Sequence, residues 1–336
     1  MMQTSFSALK FRQVLIVFIA LLFSVITNNV FAQDPWVTLE KTAIAARSLN
    51  YSGLFVYQNG AQLRTVQITH MNDGSNEFTR NMVIDGEPRE VYSQGKDIVI
   101  IKPQSDKVVM EKRHGQNLFP AILPSNLDSI KNSYNAKFGT NENISGRPTQ
   151  IIYLDSKDSY RYNYKLWVDN ENSLLLKMLL LNKTSGNKTE TLEQVQFNQI
   201  DFINSPSANT VQPKIDVSKR YVVDDATQPS HVTGGNWEVA VLPPGYRKID
   251  QIEIKVPDKK EPNKMVTVNQ LIYSDGLAAV SLFIEPVAKG TRPKMGHTTM
   301  GSTNMCANVV AGHQIIVIGE VPAMTTIEMS KAVSFK

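Results

Sequence analysis

The side chains best able to do covalent or metal chemistry in this 336-residue chain are five histidines and one cysteine: His70, His114, His231, His297, His313 and Cys306. A zinc site built from neighbouring ligands needs short fixed spacings, such as two histidines four apart or paired cysteines. No two of these histidines stand at that spacing, and Cys306 has no second cysteine. A thiol nucleophile needs a base, which His297 or His313 would supply only through the fold. The Gly-x-Ser-x-Gly elbow and the Gly-Lys-Ser/Thr phosphate loop are both missing from the sequence. Gly234-Gly235 reads as a flexible turn, and Asp155 and Asp158 flank a solvated hairpin. The expectation is a binding protein and not an enzyme, with no catalytic residue, no metal ligand set and no cofactor.

Lys10 and Arg12 precede an uncharged apolar run from Val14 to Ile26, and Val30-Phe31-Ala32 ends it with tolerated residues at a cleavage point. That pattern predicts a secretory signal peptide over residues 1–32, cut after Ala32. The run is shorter than the roughly 20 residues a membrane-spanning helix needs. An uncleaved anchor is the alternative. The chain carries 35 basic and 31 acidic side chains, and losing Lys10 and Arg12 leaves an excess of two. Nucleic-acid binding needs a concentrated basic field, so that class is set aside. With a single cysteine no internal disulfide can form, and the 42% hydrophobic residues must supply the cores.

What, then, would position a binding site? Trp36, Leu39, Ala43, Ala46 and Leu49 recur at helical spacing behind Pro35. From Tyr51 onward, short β-rich runs alternate with Asn59-Gly60, Asp73-Gly74, Asp85-Gly86 and Gln94-Gly95, the turns of an antiparallel meander. Strands are expected at Gly53–Gln58, Leu63–His70, Glu77–Ile84 and Asp97–Ile101. Asn117–Tyr134 is expected to be a loop with a short helix near Leu127 and Ile130. Strands resume at Ile144–Leu154, Tyr160–Val168, Leu174–Leu181 and Glu190–Phe202. Two of these runs, Tyr51–Tyr57 and Leu174–Leu181, are apolar on both faces. Either a two-layer core or a ligand cavity satisfies that pattern.

Residues 205–217, rich in Ser and Pro, read as a linker implying modest contact between a domain at 33–204 and another at 218–336. The second has strands at Trp237–Leu242, Arg247–Val256, Met265–Tyr273, Leu277–Ile284 and Gln314–Ile318, and a helix over Pro322–Phe335. The fold class is mainly β, with an α+β second domain.

The stretch from Ala46 to Tyr57, ARSLNYSGLFVY, resembles the start of the mature domain in the MucB/RseB family of periplasmic sigma-factor regulators. The likeness continues at Asp85–Val91, Tyr162–Asp169, Leu192–Phe197, Leu242–Tyr246, Tyr273–Leu277, Ser281–Pro286 and Ile318–Pro322. It departs at Thr303–Asn308, which lacks the arginines the family pattern carries after its Thr-Asn pair. The resemblance implies a LolA/LolB-like half-open antiparallel barrel lined by helices, followed by a smaller α+β domain. It also implies a periplasmic location, a lipid or lipopolysaccharide ligand, and a protein partner. That partner would be the periplasmic region of a membrane-anchored anti-sigma factor of the RseA/MucA kind, shielded from proteolysis while bound. Homo-oligomerisation is left open. Phe55, Tyr57, Leu174, Leu176 and Met178 are the candidate lipid-pocket residues. Tyr273, Asp275, Phe283 and Glu320 are the candidate partner contacts, while Gly276 and Gly319 are assigned to turns. A lipid or lipoprotein carrier is the rival reading.

Overall fold

The computed structural model describes residues 34–336, apart from 88, 95–96, 104–106, 115–117, 184–187, 205–206, 213–219, 224–229, 232–234, 258–264 and 289. The expected leader, Gly95 of the expected Gln94-Gly95 turn and most of the expected linker lie outside the described residues.

Helix α1 (Pro35–Ser48) opens on proline, whose missing N–H and fixed φ suit a first helical turn. It buries Leu39, Ala43 and Ala46 along one face, and the two alanines let it lie close to the sheet. Next come β1 (Tyr51–Asn59), β2 (Gln62–Asn72), β3 (Glu77–Val83), β4 (Arg89–Gln94), β5 (Asp97–Pro103) and β6 (Lys107–His114), an unbroken antiparallel meander. Gly60 and Gly74 sit at φ of 57° and 89°, the conformation these tight turns require. A loop and the short helix α2 (Asp128–Ser133) lead into β7 (Tyr134–Ile144), β8 (Arg147–Ser156), β9 (Asn163–Asp169), β10 (Leu175–Lys183) and β11 (Thr189–Phe202). Strand β11 returns to pair with β1, so both meanders join in a single sheet.

Strand β12 (Arg220–Val223) lies beyond the linker expected from sequence, yet it pairs in parallel with β6. The twelve strands run β12-β6-β5-β4-β3-β2-β1-β11-β10-β9-β8-β7, and the outer two do not meet. The result is a half-open wrap and not a closed barrel. β12 shields the edge that β6 would otherwise present, a common protection for unpaired strands.

The second sheet holds β13 (Ser230–His231), β15 (Arg247–Pro257), β16 (Met265–Ser274), β17 (Ala279–Pro286), β18 (Gly296–Met300), β19 (Thr303–Val310) and β20 (His313–Gly319). Helix α3 (Ala323–Lys331) packs Met329 onto Val280, Leu282, Ile315 and Val317. The helix expected over Pro322–Phe335 ends earlier. Its last residues form β21 (Val333–Phe335), paired with β14 (Trp237–Val239), where Phe335 lies 4.8 Å from Trp237 ring to ring.

The doubly apolar strands have a physical explanation. On the inner face, Tyr164, Leu166, Val168 and Leu180 pack under the helices and the loop before α2. On the outer face, two lysines cover Trp167. The ammonium groups of Lys165 and Lys177 stand 4.4 and 4.7 Å from its ring, and its Nε1 donates to Glu142 at 2.8 Å. Their aliphatic stems keep water off this apolar surface. Burial and the neighbouring Lys165 charge hold the Lys177 amine below its ordinary pKa, although Glu142 works the other way.

Candidate ligand cavity and domain seam

Cross-strand register builds a cavity of about 920 Å³ on the inner face of the first sheet. One row runs Met178, Val195, Tyr57, Arg64 across β10, β11, β1 and β2. A second runs Phe55, Val66, Val83, Arg89 across β1 to β4. Because side chains alternate between faces, these rows come from every second residue, and each starts apolar and ends basic. Lys102 of β5 lies beyond Arg89 at the same end. Leu118, Phe119 and Ile122 roof the space. Leu277 and Glu320 close it from the second domain.

The two domains meet along a polar seam beside this cavity. Glu193 is 5% exposed and accepts from Tyr57 Oη at 3.1 Å and Asn59 Nδ2 at 2.8 Å. Ser302 Oγ, from the second domain, donates to the same carboxylate. Asn304 Nδ2 donates to Tyr162 Oη at 3.0 Å, and Thr325 Oγ1 donates to the Tyr160 carbonyl at 2.8 Å. Further along, the Arg161 Nε donates to Asp275 Oδ2 at 2.8 Å, with both side chains excluded from water. Its guanidinium also binds Asp158 and stacks near the Tyr246 ring. Burial alone would lower the Arg161 pKa, but the Asp275 carboxylate more than offsets it. The chain passes close at Gly245 and Gly276, where a Cβ would stand 2.6 Å from Ser133 Oγ and 2.5 Å from Ser129 Oγ. The modest contact expected between domains is therefore replaced by a buried, charge-paired interface.

Phe55, Tyr57 and Met178 face the cavity. Leu174 and Leu176 are completely buried in the core and do not line it. Tyr273 is 2% exposed and its hydroxyl accepts from the Val239 N–H at 3.2 Å. Burial raises its pKa. Asp275 also binds the Leu277 and Ala278 N–H groups with its second oxygen, organising a turn at the seam. Neither Tyr273 nor Asp275 offers a surface to a partner. Phe283 is half-buried on the opposite face of the second sheet, beside Gln270 and Ile316. Ile272, Met305 and Ile318 share that face and are also half-buried. Glu320 lies in the cavity wall. It is exposed to water there, and partial desolvation with the Glu193 charge pushes its carboxyl up to about 7.

Sequence reasoning missed Arg161, Glu193, Asn59 and Ser302. Glu193 sits inside a stretch that carried the family likeness and Arg161 directly before another, but their partners lie more than a hundred residues away. Cys306 is buried opposite Val317, and no group of three His, Cys, Asp or Glu among the described residues could hold a metal ion.

A half-open sheet around a cavity, closed on one side by a smaller α+β domain, defines a two-domain protein with an internal cavity. The chain belongs to the MucB/RseB family: the family's N-terminal domain matches residues 34–215 and its C-terminal domain residues 232–334. It is 28% identical to the sigma factor AlgU regulatory protein MucB of Pseudomonas aeruginosa over 302 residues, covering 88% of this chain and 89% of the relative. It is 23% identical to the sigma-E factor regulatory protein RseB of Haemophilus influenzae over 307 residues, covering 89% and 90%. Among solved structures, MucB in complex with MucA(peri) superposes with a TM-score of 0.67 at 22% identity, covering 90% of this chain and 99% of that one. MucB alone superposes with a TM-score of 0.63 at 24% identity, covering 90% and 98%.

Proposed function

We propose that this chain is a periplasmic negative regulator of an envelope-stress sigma factor, acting by stoichiometric capture of the periplasmic region of a membrane-anchored anti-sigma factor. The observation that carries the reading is the extent of the family match. Regulators of sigma-E and AlgU align with both domains, whereas a lipid carrier of this architecture needs the first domain alone. Capture shields the anti-sigma factor from proteolysis by burying the segment a protease must reach.

The apolar face around Phe283, Ile316 and Ile318 supports a contact surface in the second domain, since a sheet face of that composition gains free energy when covered. The cavity supports the sensing role. Its size falls in the usual range for small-molecule sites, and each buried CH₂ of an acyl chain contributes about 0.8 kcal/mol. Arg64, Arg89 and Lys102 gather at one end, where anionic lipid headgroups such as those of lipopolysaccharide find charge-assisted hydrogen bonds. Lipid then releases the partner only to the extent that it prefers the unbound state.

The test is a protection assay. The anti-sigma factor's periplasmic region is exposed to its initiating protease with and without an equimolar amount of this chain. Protection at equimolar ratio, reversed by lipopolysaccharide, is expected. Cleavage at an unchanged rate with the chain in excess would remove the reading.

A further inference from the structure

The outer face of the first sheet holds two pairs of lysines, and one pair lacks the anion that the other has. Asp155 of β8 takes Lys137 at 2.6 Å with one carboxylate oxygen and Lys183 at 3.0 Å with the other. On the same face, Lys165 of β9 and Lys177 of β10 crowd their ammonium groups round a single indole, that of Trp167. No carboxylate bridges this second pair. Glu142 stands 3.9 Å from the Lys165 amine, and its other oxygen is taken by the indole N–H at 2.8 Å. Among the described residues no carboxylate lies within 4.0 Å of the Lys177 amine. We propose that Lys165 and Lys177 form a binding site for the phosphate group of a small soluble molecule, on the face of the sheet opposite the cavity.

Two like charges on one ring repel each other, and the attraction of each to the ring offsets only part of that cost. Burial and the Lys165 charge disfavour the charged form of Lys177, against the pull of Glu142. An anion between the two amines relieves the conflict, as Asp155 does for Lys137 and Lys183. Farther along β9, Arg147, Asp169 and Glu171 are already paired with one another.

The platform under the two amines is fixed. Trp167 is 2% exposed, and its N–H is held by Glu142. Lys177 lies directly across from Trp167 on β10, and Lys165 stands two residues earlier on β9. The amines therefore approach from different directions, which suits separate oxygens of a tetrahedral anion better than one planar carboxylate. Lysine serves as a point charge for phosphate, whereas carboxylates match the arginine fork. Gln196 of β11, the cross-strand partner of Lys177, brings an amide to the same face. Trp167 is sealed, and Tyr153 is half-buried with Lys137 and Lys165 over its ring, so neither ring is free to enter acyl chains. The phosphate is accordingly one met in solution and not one set in a bilayer.

The chain has three tryptophans, whose indole N–H signals in a nitrogen-labelled sample report each ring separately. Inorganic phosphate and methyl phosphate are titrated in turn, with ionic strength held constant by sodium chloride so that screening stays fixed. The Trp167 signal should shift saturably while those of Trp36 and Trp237 stay in place. Lys177→Gln and Lys165→Gln should each weaken binding about tenfold, the loss of one charge-assisted hydrogen bond. Lys137→Gln removes the same charge from a lysine that already has its carboxylate, and should leave binding nearly unchanged. Gln196→Glu supplies the missing carboxylate opposite Lys177, so it should abolish the response and raise the melting temperature. The absence of a saturable shift, equal losses in Lys137→Gln and Lys177→Gln, or an equal response to acetate overturns the site. So does a shift seen only with vesicles containing phosphatidic acid. If Lys177→Gln fails to fold, unweakened binding in Lys165→Gln does the same.

Discussion

Tyr273 and Phe283 came from the same kind of sequence signal, an aromatic within a family-like stretch, and the structure sends them to opposite environments. They sit on neighbouring antiparallel strands, but Tyr273 points into the core beside Val280 and Leu282 while Phe283 points away from it. Period-two alternation contains that distinction: Leu271 and Tyr273 share one face of β16, and Leu282 with Ile284 marks the same face of β17. The two residues therefore give contrasting outcomes. Tyr273→Ala empties a core site and strands the Val239 N–H, so it should cost about 3–5 kcal/mol of stability. Any affinity it loses should track unfolding, as circular dichroism melts would show. Phe283→Ala should cost about 1 kcal/mol of stability. It should weaken anti-sigma binding roughly 30-fold by calorimetry if the ring anchors the interface. Equal losses of stability in both variants would remove the open sheet face from the account.

Strands and helices show how far sequence reasoning reaches. The meander from β1 to β3 was legible because Asn-Gly and Asp-Gly turns punctuate its runs, and strands β8 to β11 because long apolar and β-rich runs alternate with polar stretches. Strand β7 was not, since Lys137 to Asn143 is mostly polar; as an edge strand, it is largely exposed and needs no apolar signature. Strand β19 was missed for a different reason. Asn304 is buried there to bind Tyr162 and the Val321 carbonyl, so a polar residue occupies a core position. The cavity was legible only in part: the apolar rows could be read, but their basic ends depend on register across four strands, which no local pattern reveals. Leu176 and Met178 illustrate the limit, for Leu176 falls at a bulge in β10 and is sealed in the core while Met178 faces the cavity. Met178→Glu places a carboxylate against open cavity and should abolish binding of a fluorescent acyl probe while leaving the melting curve cooperative. Leu176→Glu buries an unpaired charge in a closed core and should unfold the domain. If both variants bind the probe normally, the cavity is not the lipid site.

For the molecule as a whole, the seam matters more than the separate domains. The sequence suggested two units on a loose tether, because a Ser- and Pro-rich stretch is visible while a buried pair such as Arg161 and Asp275 is not. That pair is closed to water, so parting the domains breaks it and returns both charges to solvent, and the hydration they regain offsets much of the lost attraction. The same seam carries Leu277 and Glu320 to the cavity wall, so a ligand filling the cavity touches both domains at once. Occupancy of the cavity and the arrangement of the second domain are thereby linked through one contact surface. The measurement that tests this most directly is a pair of calorimetric titrations. The anti-sigma factor's periplasmic region is titrated into this chain alone, and then into the chain saturated with lipopolysaccharide. Stoichiometric binding in the first titration, weakened at least about tenfold in the second, is the predicted result. Binding of equal strength in both, or no binding in either, would contradict it.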